Sequence, residues 1–117
     1  TMWDLEFFKK DNQRCPTREF VQEQSPQDRV RINRSFKLLA EHGNALRGTD
    51  VHYLEDGLYE LRVRVVKKQY RFIFFYHHQR IIVVTHGFLK KQSAVPRREI
   101  EQAQTYRNIY LERMRSK

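Results

Sequence analysis

Three runs of strand-forming residues lie between Leu58 and Lys91: Leu58–Val66, Tyr70–Tyr76 and Ile81–Thr85, joined by polar connectors of three and four residues. Val, Ile, Tyr, Phe and Thr suit the pleated, half-buried setting of a strand. Connectors this short predict an antiparallel meander. In the first run Tyr59, Leu61, Val63 and Val65 alternate with Glu60, Arg62 and Arg64. One face is therefore apolar and the other carries two arginines. In the second run Tyr70, Phe72, Phe74 and Tyr76 share one face, and Arg71, Ile73 and Phe75 the other. The third run is apolar and exits into His86, Gly87, Phe88, Leu89, Lys90 and Lys91. Arginines on a sheet face beside a basic, aromatic exit suit a phosphate-bearing partner. The same arginines fit the wet side of a half-buried antiparallel sheet equally well.

The flanking segments supply helices. Trp3, Leu5 and Phe7 alternate with Asp4 and Glu6 and predict a short strand added to the sheet. Pro16-Thr17 opens a short helical piece anchored by Phe20 and Val21. Ser25-Pro26 reads as an N-cap and first helical residue, with Asp28 in the first turn. Ile32, Phe36, Leu39, Gly43 and Leu46 then form one helical stripe, and His42-Gly43-Asn44 offers a C-terminal cap. Arg29, Arg31 and Arg34 fall mostly off that stripe and read as a solvated face. The residues from Gly48 to Gly57 read as a loop pinned by Val51 and Leu54, with Asp56-Gly57 turning into the first meander strand. Pro96 reads as the first residue of a last helix reaching about Arg113, whose stripe holds Ile100, Ala103, Arg107, Tyr110, Leu111 and Met114. Tyr106 and Tyr110 are expected to be core residues.

Length allows one domain, 1–117, and no second. Only 39% of residues are hydrophobic but 13% are aromatic, so a small core rich in Phe and Tyr is feasible. The net charge of +9 is unevenly spread. Residues 1–57 carry 9 Lys+Arg against 10 Asp+Glu, and residues 58–117 carry 14 against 4. The positive field belongs to the meander and the last helix, which favours nucleic acid, an acidic protein or an anionic surface as partner.

Several classes are disfavoured. Cys15 is alone, so no internal disulfide is expected and a reducing cytoplasm fits. No apolar run is long enough to span a membrane, and the first residues lack the pattern of a secretory leader. No Cys/His cluster has zinc-ligand spacing, and the glycines form no phosphate loop, so neither metal nor cofactor is expected. His77-His78 should project to opposite sides of an extended chain and read as turn residues.

Four motifs in order resemble a known family: Gly57-Leu58-Tyr59-Glu60-Leu61-Arg62, then Tyr70-Arg71-Phe72, then His86-Gly87-Phe88-Leu89-Lys90-Lys91, then Pro96 with Glu99-Ile100 and Ala103. From about Phe36 to Tyr110 the chain resembles the HigB-like branch of the RelE/ParE superfamily, toxins of bacterial type II toxin–antitoxin modules often found in phage-derived regions. Val95 stands where that family often has Thr before the helical proline, and the segment before about Ser25 matches no family motif. The resemblance implies a small α+β, RelE-like domain: an antiparallel twisted sheet, two N-terminal helices on one face and a C-terminal helix.

It also implies an activity. Many members cut mRNA on the ribosome without a metal ion, the ribose 2′-OH attacking the adjacent phosphorus. On that resemblance Arg62 and Arg71 are assigned to the phosphate, where guanidinium gives planar, permanent charge. His86 is the acid/base candidate because imidazole titrates nearest neutrality, and Lys91 completes the catalytic set. Arg64, Lys67, Lys68, Phe88 and Lys90 are the expected RNA contacts, with Phe88 able to stack on a base. The implied partners are the ribosome with its mRNA and a cognate antitoxin, a small helix-turn-helix protein, with no membrane. The alternative is a non-enzymatic inhibitor of DNA gyrase like the ParE branch.

Overall fold

The alternation between Leu58 and Lys91 becomes three antiparallel strands in the computed structural model, which describes residues 2–46 and 50–117. In chain order the elements are β1 (Asp4–Phe7), α1 (Pro16–Gln22), α2 (Pro26–His42), a 3₁₀ turn (Gly43–Leu46), β2 (Val51–Glu55), β3 (Leu58–Val65), β4 (Lys68–His77), β5 (Ile81–Leu89) and α3 (Arg97–Arg115). The sheet order is β1-β5-β4-β3-β2. Gly48, where the expected loop opens, lies outside the described residues, as do the side chains of Asn44 and Leu46.

The helix starts follow local chemistry. Ser25 is extended at the N-cap of α2, and its Oγ accepts from the Asp28 amide at 3.2 Å. Gly43 closes α2 at φ +49°, and a Cβ there would sit 2.1 Å from the Trp3 indole nitrogen. Both the backbone angle and the close indole demand glycine. Pro96 is the N-cap of α3 with no side-chain cap, so this helix begins at Arg97, one residue later than the proline signal suggests.

Both faces of the sheet are covered. On one side Val21, Ile32, Phe36 and Leu39 from α1 and α2 bury against Leu61, Val63, Tyr70, Phe72, Phe74, Ile82 and Val84. On the other, Ile100, Ala103 and Tyr110 of α3 bury against Leu58, Ile73, Phe75 and Val83, with Phe8 beside them. Each fully buried side chain of this size contributes about 1.5–3 kcal/mol. Tyr110 is buried and Tyr106 half-buried, its ring stacked 4.6 Å from Phe8, as expected of core aromatics.

Four expectations are corrected. The sheet is mixed: β1 pairs in parallel with β5, from Asp4 opposite Ile81 to Phe7 opposite Val84. The chain between them runs through two helices and three strands, long enough for a parallel crossover. Second, the segment read as a loop contains β2, paired antiparallel with β3. Asp56 and Gly57 both have positive φ, 53° and 75°, the geometry of a two-residue hairpin. Third, β5 continues past Thr85 to Leu89. Fourth, His77 and His78 do not project apart. His78 has φ 57°, which leaves the extended conformation and brings the ring centroids to 4.0 Å.

The continuation of β5 positions everything that follows. Ile73 pairs with His86 but Phe74 pairs with Val84, so Thr85 is the extra residue of a β-bulge. Its hydroxyl donates to the Ile73 carbonyl at 3.0 Å. Uninterrupted alternation would put His86 on the face of Ile82 and Val84. The bulge turns it to the other face, with Ile73, Arg71 and α3. Gly87 then faces Phe72, where a Cβ would lie 2.3 Å from the ring.

Candidate functional site

The α3-side face of the sheet runs out of apolar residues beyond Ile73. Arg62 and Arg71 are directly opposite one another on β3 and β4, and Arg71 is opposite Phe88 on β5. Like charges placed opposite each other repel. Glu60 offsets this. Its carboxylate receives the Arg62 Nε at 2.6 Å and the Arg71 Nη1 at 3.0 and 3.2 Å. Glu60 is 1% exposed and Arg71 3%. Two guanidiniums on one buried carboxylate leave a net positive charge in a low-dielectric setting, where charge–charge terms are strongest.

Arg71 is thus both a structural ion and a surface of the site. Its Nε donates to Gln69 Oε1 at 3.0 Å and its Nη1 is spent on Glu60. Its Nη2 makes no hydrogen bond among the described residues, and Arg71 lines a cleft of about 520 Å³. Phe88, Lys90, Lys91, Arg98 and Glu99 line the same cleft, which opens between the end of β5 and the start of α3. Lys90 is fixed by its backbone amide, which donates to the Gln69 carbonyl at 2.9 Å. Lys91 is exposed.

His86 stands behind this cleft and is 7% exposed. Its Nδ1 lies 3.1 Å from Thr85 Oγ1 and its Nε2 3.1 Å from Glu99 Oε1. The His86 hydrogen bond holds the Glu99 carboxyl below its usual range, against the opposite pull of burial. Rings of Phe88 and Tyr106 flank the imidazole at 6.0 Å each.

Of the expected site residues, the cleft brings together Arg71, Phe88, Lys90 and Lys91. Arg62 does not line it and reaches Arg71 through Glu60. Arg64 and Lys68 line a separate depression beside the N-terminus of α2, and Lys67 occupies the β3–β4 turn at φ 66°. There Lys68 pairs with Asp28 at 3.6 Å, and Arg64 lies 3.7 Å from Asp50. Three participants were missed as site residues: Glu60 as the carboxylate under the arginines, Glu99 as the partner of His86, and Arg98 on the wall. Glu99 carries the sequence signal of an acid in a first helical turn, which accounts for it without the histidine.

Among the described residues no group of three His, Cys, Asp or Glu is placed to hold a metal ion, and no helix is long and apolar enough to cross a membrane. Residues 19–108 match the family model described as Phage derived protein Gp49-like (DUF891). That match begins ahead of Ser25 and takes in most of α1, where no motif was legible. No curated protein matches the chain.

Proposed function

Because the chain belongs to the phage-derived Gp49-like family, a toxin-like family related to the RelE/ParE toxins, we propose that it is the toxin of a type II toxin–antitoxin module. Within the family we place it in the HigB-like branch, acting as a ribosome-dependent, metal-independent mRNA endoribonuclease in the cytoplasm. The observation that supports this best is the cleft, whose lining brings Arg71, Lys90, Lys91 and Arg98 together with Phe88. Clustered cations beside an aromatic platform bind a single strand through phosphate and base together.

The proposed reaction is a transesterification. The ribose 2′-oxygen attacks the adjacent phosphorus as its proton passes to water, the bond from phosphorus to the 5′-oxygen breaks, and the 5′-oxygen leaves with a proton. Arg71 presents its unused Nη2 to the phosphate, and Arg62, through the shared Glu60, fixes the orientation of that guanidinium. Preorganised cations of this kind stabilise charge developing on the phosphorus oxygens. Lys91 supports the leaving oxygen, Lys90 the neighbouring phosphate, and Phe88 stacks on a base. Arg64, Lys67 and Lys68, away from the cleft, contact ribosomal RNA. The ribosome aligns the 2′-oxygen with the scissile bond, a task an open cleft cannot do alone. The antitoxin, a small helix-turn-helix protein, masks the basic half with acidic groups.

The test is inducible expression followed by mapping of mRNA 5′ ends. New ends confined to translated messages, lost in Lys90→Ala/Lys91→Ala, support the proposal. Intact message together with blocked plasmid supercoiling sinks it in favour of gyrase inhibition.

A further inference from the structure

The protonation of His86 can be read from the hydrogen bonds around it. A backbone carbonyl only accepts, so the Thr85 hydroxyl spends its one hydrogen on the Ile73 oxygen, 3.0 Å away. Thr85 Oγ1 can then only accept from His86 Nδ1, at 3.1 Å. That fixes a proton on Nδ1. On the other side Nε2 faces Glu99 Oε1 at 3.1 Å. A neutral ring with its proton on Nδ1 would aim a lone pair from Nε2 at a carboxylate oxygen. With the Glu99 carboxyl held below its usual range and therefore ionised, the contact is attractive only if Nε2 also carries hydrogen. From these three contacts we infer that His86 is an imidazolium donating from both nitrogens, that Glu99 is the positioning residue which keeps it so, and that their ion pair fastens the α3 wall of the cleft to β5.

Other charged groups around the ring are consistent with this assignment. From α3 come Glu99 and the neutral phenol of Tyr106, with Arg98 Nε 3.9 Å from Glu99 Oε2. From β4, Arg71 shares the sheet face but is matched by Glu60 of β3. Within β5 the ring meets Thr85 and Phe88, neither of them charged. Glu99 is the single carboxylate within hydrogen-bond reach of the imidazole among the described residues.

The inference rests on the proposed cleavage for its chemical consequence. A ring already holding both protons cannot accept the 2′-hydroxyl proton. His86 can serve only as the acid that gives Nε2–H to the departing 5′-oxygen once its contact with Glu99 opens, while water takes the 2′-hydroxyl proton. Nitrogen–hydrogen breaks, oxygen–hydrogen forms, and the imidazole is left neutral with its proton on Nδ1.

Imidazole nitrogen NMR of the intact, ¹⁵N-labelled protein near neutral pH tests the protonation directly. Both His86 nitrogens should appear protonated in the wild type. In Glu99→Gln, whose amide can donate to Nε2, the ring should become neutral with its proton on Nδ1. In the ribosome-dependent assay near neutral pH, Glu99→Gln should lower kcat on the order of a hundredfold with KM unchanged, the loss expected when the general acid is left without its proton. The alkaline fall in rate should also move to lower pH. A wild-type ring with one unprotonated nitrogen, or a ring unaltered by Glu99→Gln, overturns the inference. So does an unshifted pH profile in an active Glu99→Gln enzyme. If no variant cleaves message yet the NMR result holds, the ion pair stands and the nuclease proposal alone fails.

Discussion

The Arg71 guanidinium reaches across the β3–β4 pair to both oxygens of the Glu60 carboxylate, Nη1 lying 3.2 Å from Oε1 and 3.0 Å from Oε2. Both groups are buried, so removing the carboxylate strands the Arg71 guanidinium. Glu60→Ala leaves a buried guanidinium uncompensated and should cost about 3–5 kcal/mol. Arg71→Ala should cost less, because Arg62 remains 2.6 Å from Glu60. Urea unfolding of both variants checks this order. Equal stability in the wild type and Glu60→Ala would show that the pair is not buried as described.

Gly87→Ala should destabilise by about 1–3 kcal/mol, the usual cost of overfilling a packed core. The new methyl group would enter the ring of Phe72, which is fully buried. Differential scanning calorimetry should give a lower Tm. Because Gly87 lies between His86 and Phe88, RNA binding should fall as well.

Tyr70 predicts an alkaline limit to stability. Burial first, and then the hydrogen bond its hydroxyl donates to Asp28 Oδ2 at 2.6 Å, push its phenol up to about 12. The unfolded value is about 10. A raised folded value stabilises the protein fully below the unfolded value and loses that contribution as pH rises through about 12. Ultraviolet titration should show Tyr70 ionising together with unfolding. Tyr70→Phe should remove this dependence and cost about 1.5–3 kcal/mol at neutral pH, the worth of a hydrogen bond to a charged group.

Lys90→Ala/Lys91→Ala should weaken RNA binding across sequences and reduce the slope of log affinity against log salt by up to about 0.7 per lysine, the single-strand value. Both residues line the cleft without carrying the core, so the fold should survive. Filter binding across a salt series measures it. An unchanged slope would place the RNA elsewhere on the surface.

Period two in the Leu58–Val66 and Tyr70–Tyr76 runs correctly placed Leu61, Val63, Phe72 and Phe74 in one core, because side-chain direction in a strand is a local property. Helical spacing did the same for Ile32, Phe36 and Leu39. The turn at Asp56-Gly57 was legible too, but the short strand β2 ahead of it reads as loop until its neighbour β3 is in place. The parallel seat of β1 had no local signal, since the direction of an added strand depends on where the intervening helices pack.

By itself, the sequence determined which side chains are apolar on each strand and helix, where α2 starts, and that the second half is strongly basic. The tertiary structure alone decided the site. Thr85 enters the ladder as an unpaired residue and turns His86 to the α3 face. The docking of α3 then sets Glu99 against it, and the β3–β4 register lays Glu60 beneath both arginines. Pattern along a chain fixes the direction of a side chain only while the ladder stays regular. A one-residue bulge reverses it, and the partners of a buried charge come from segments far apart in the chain.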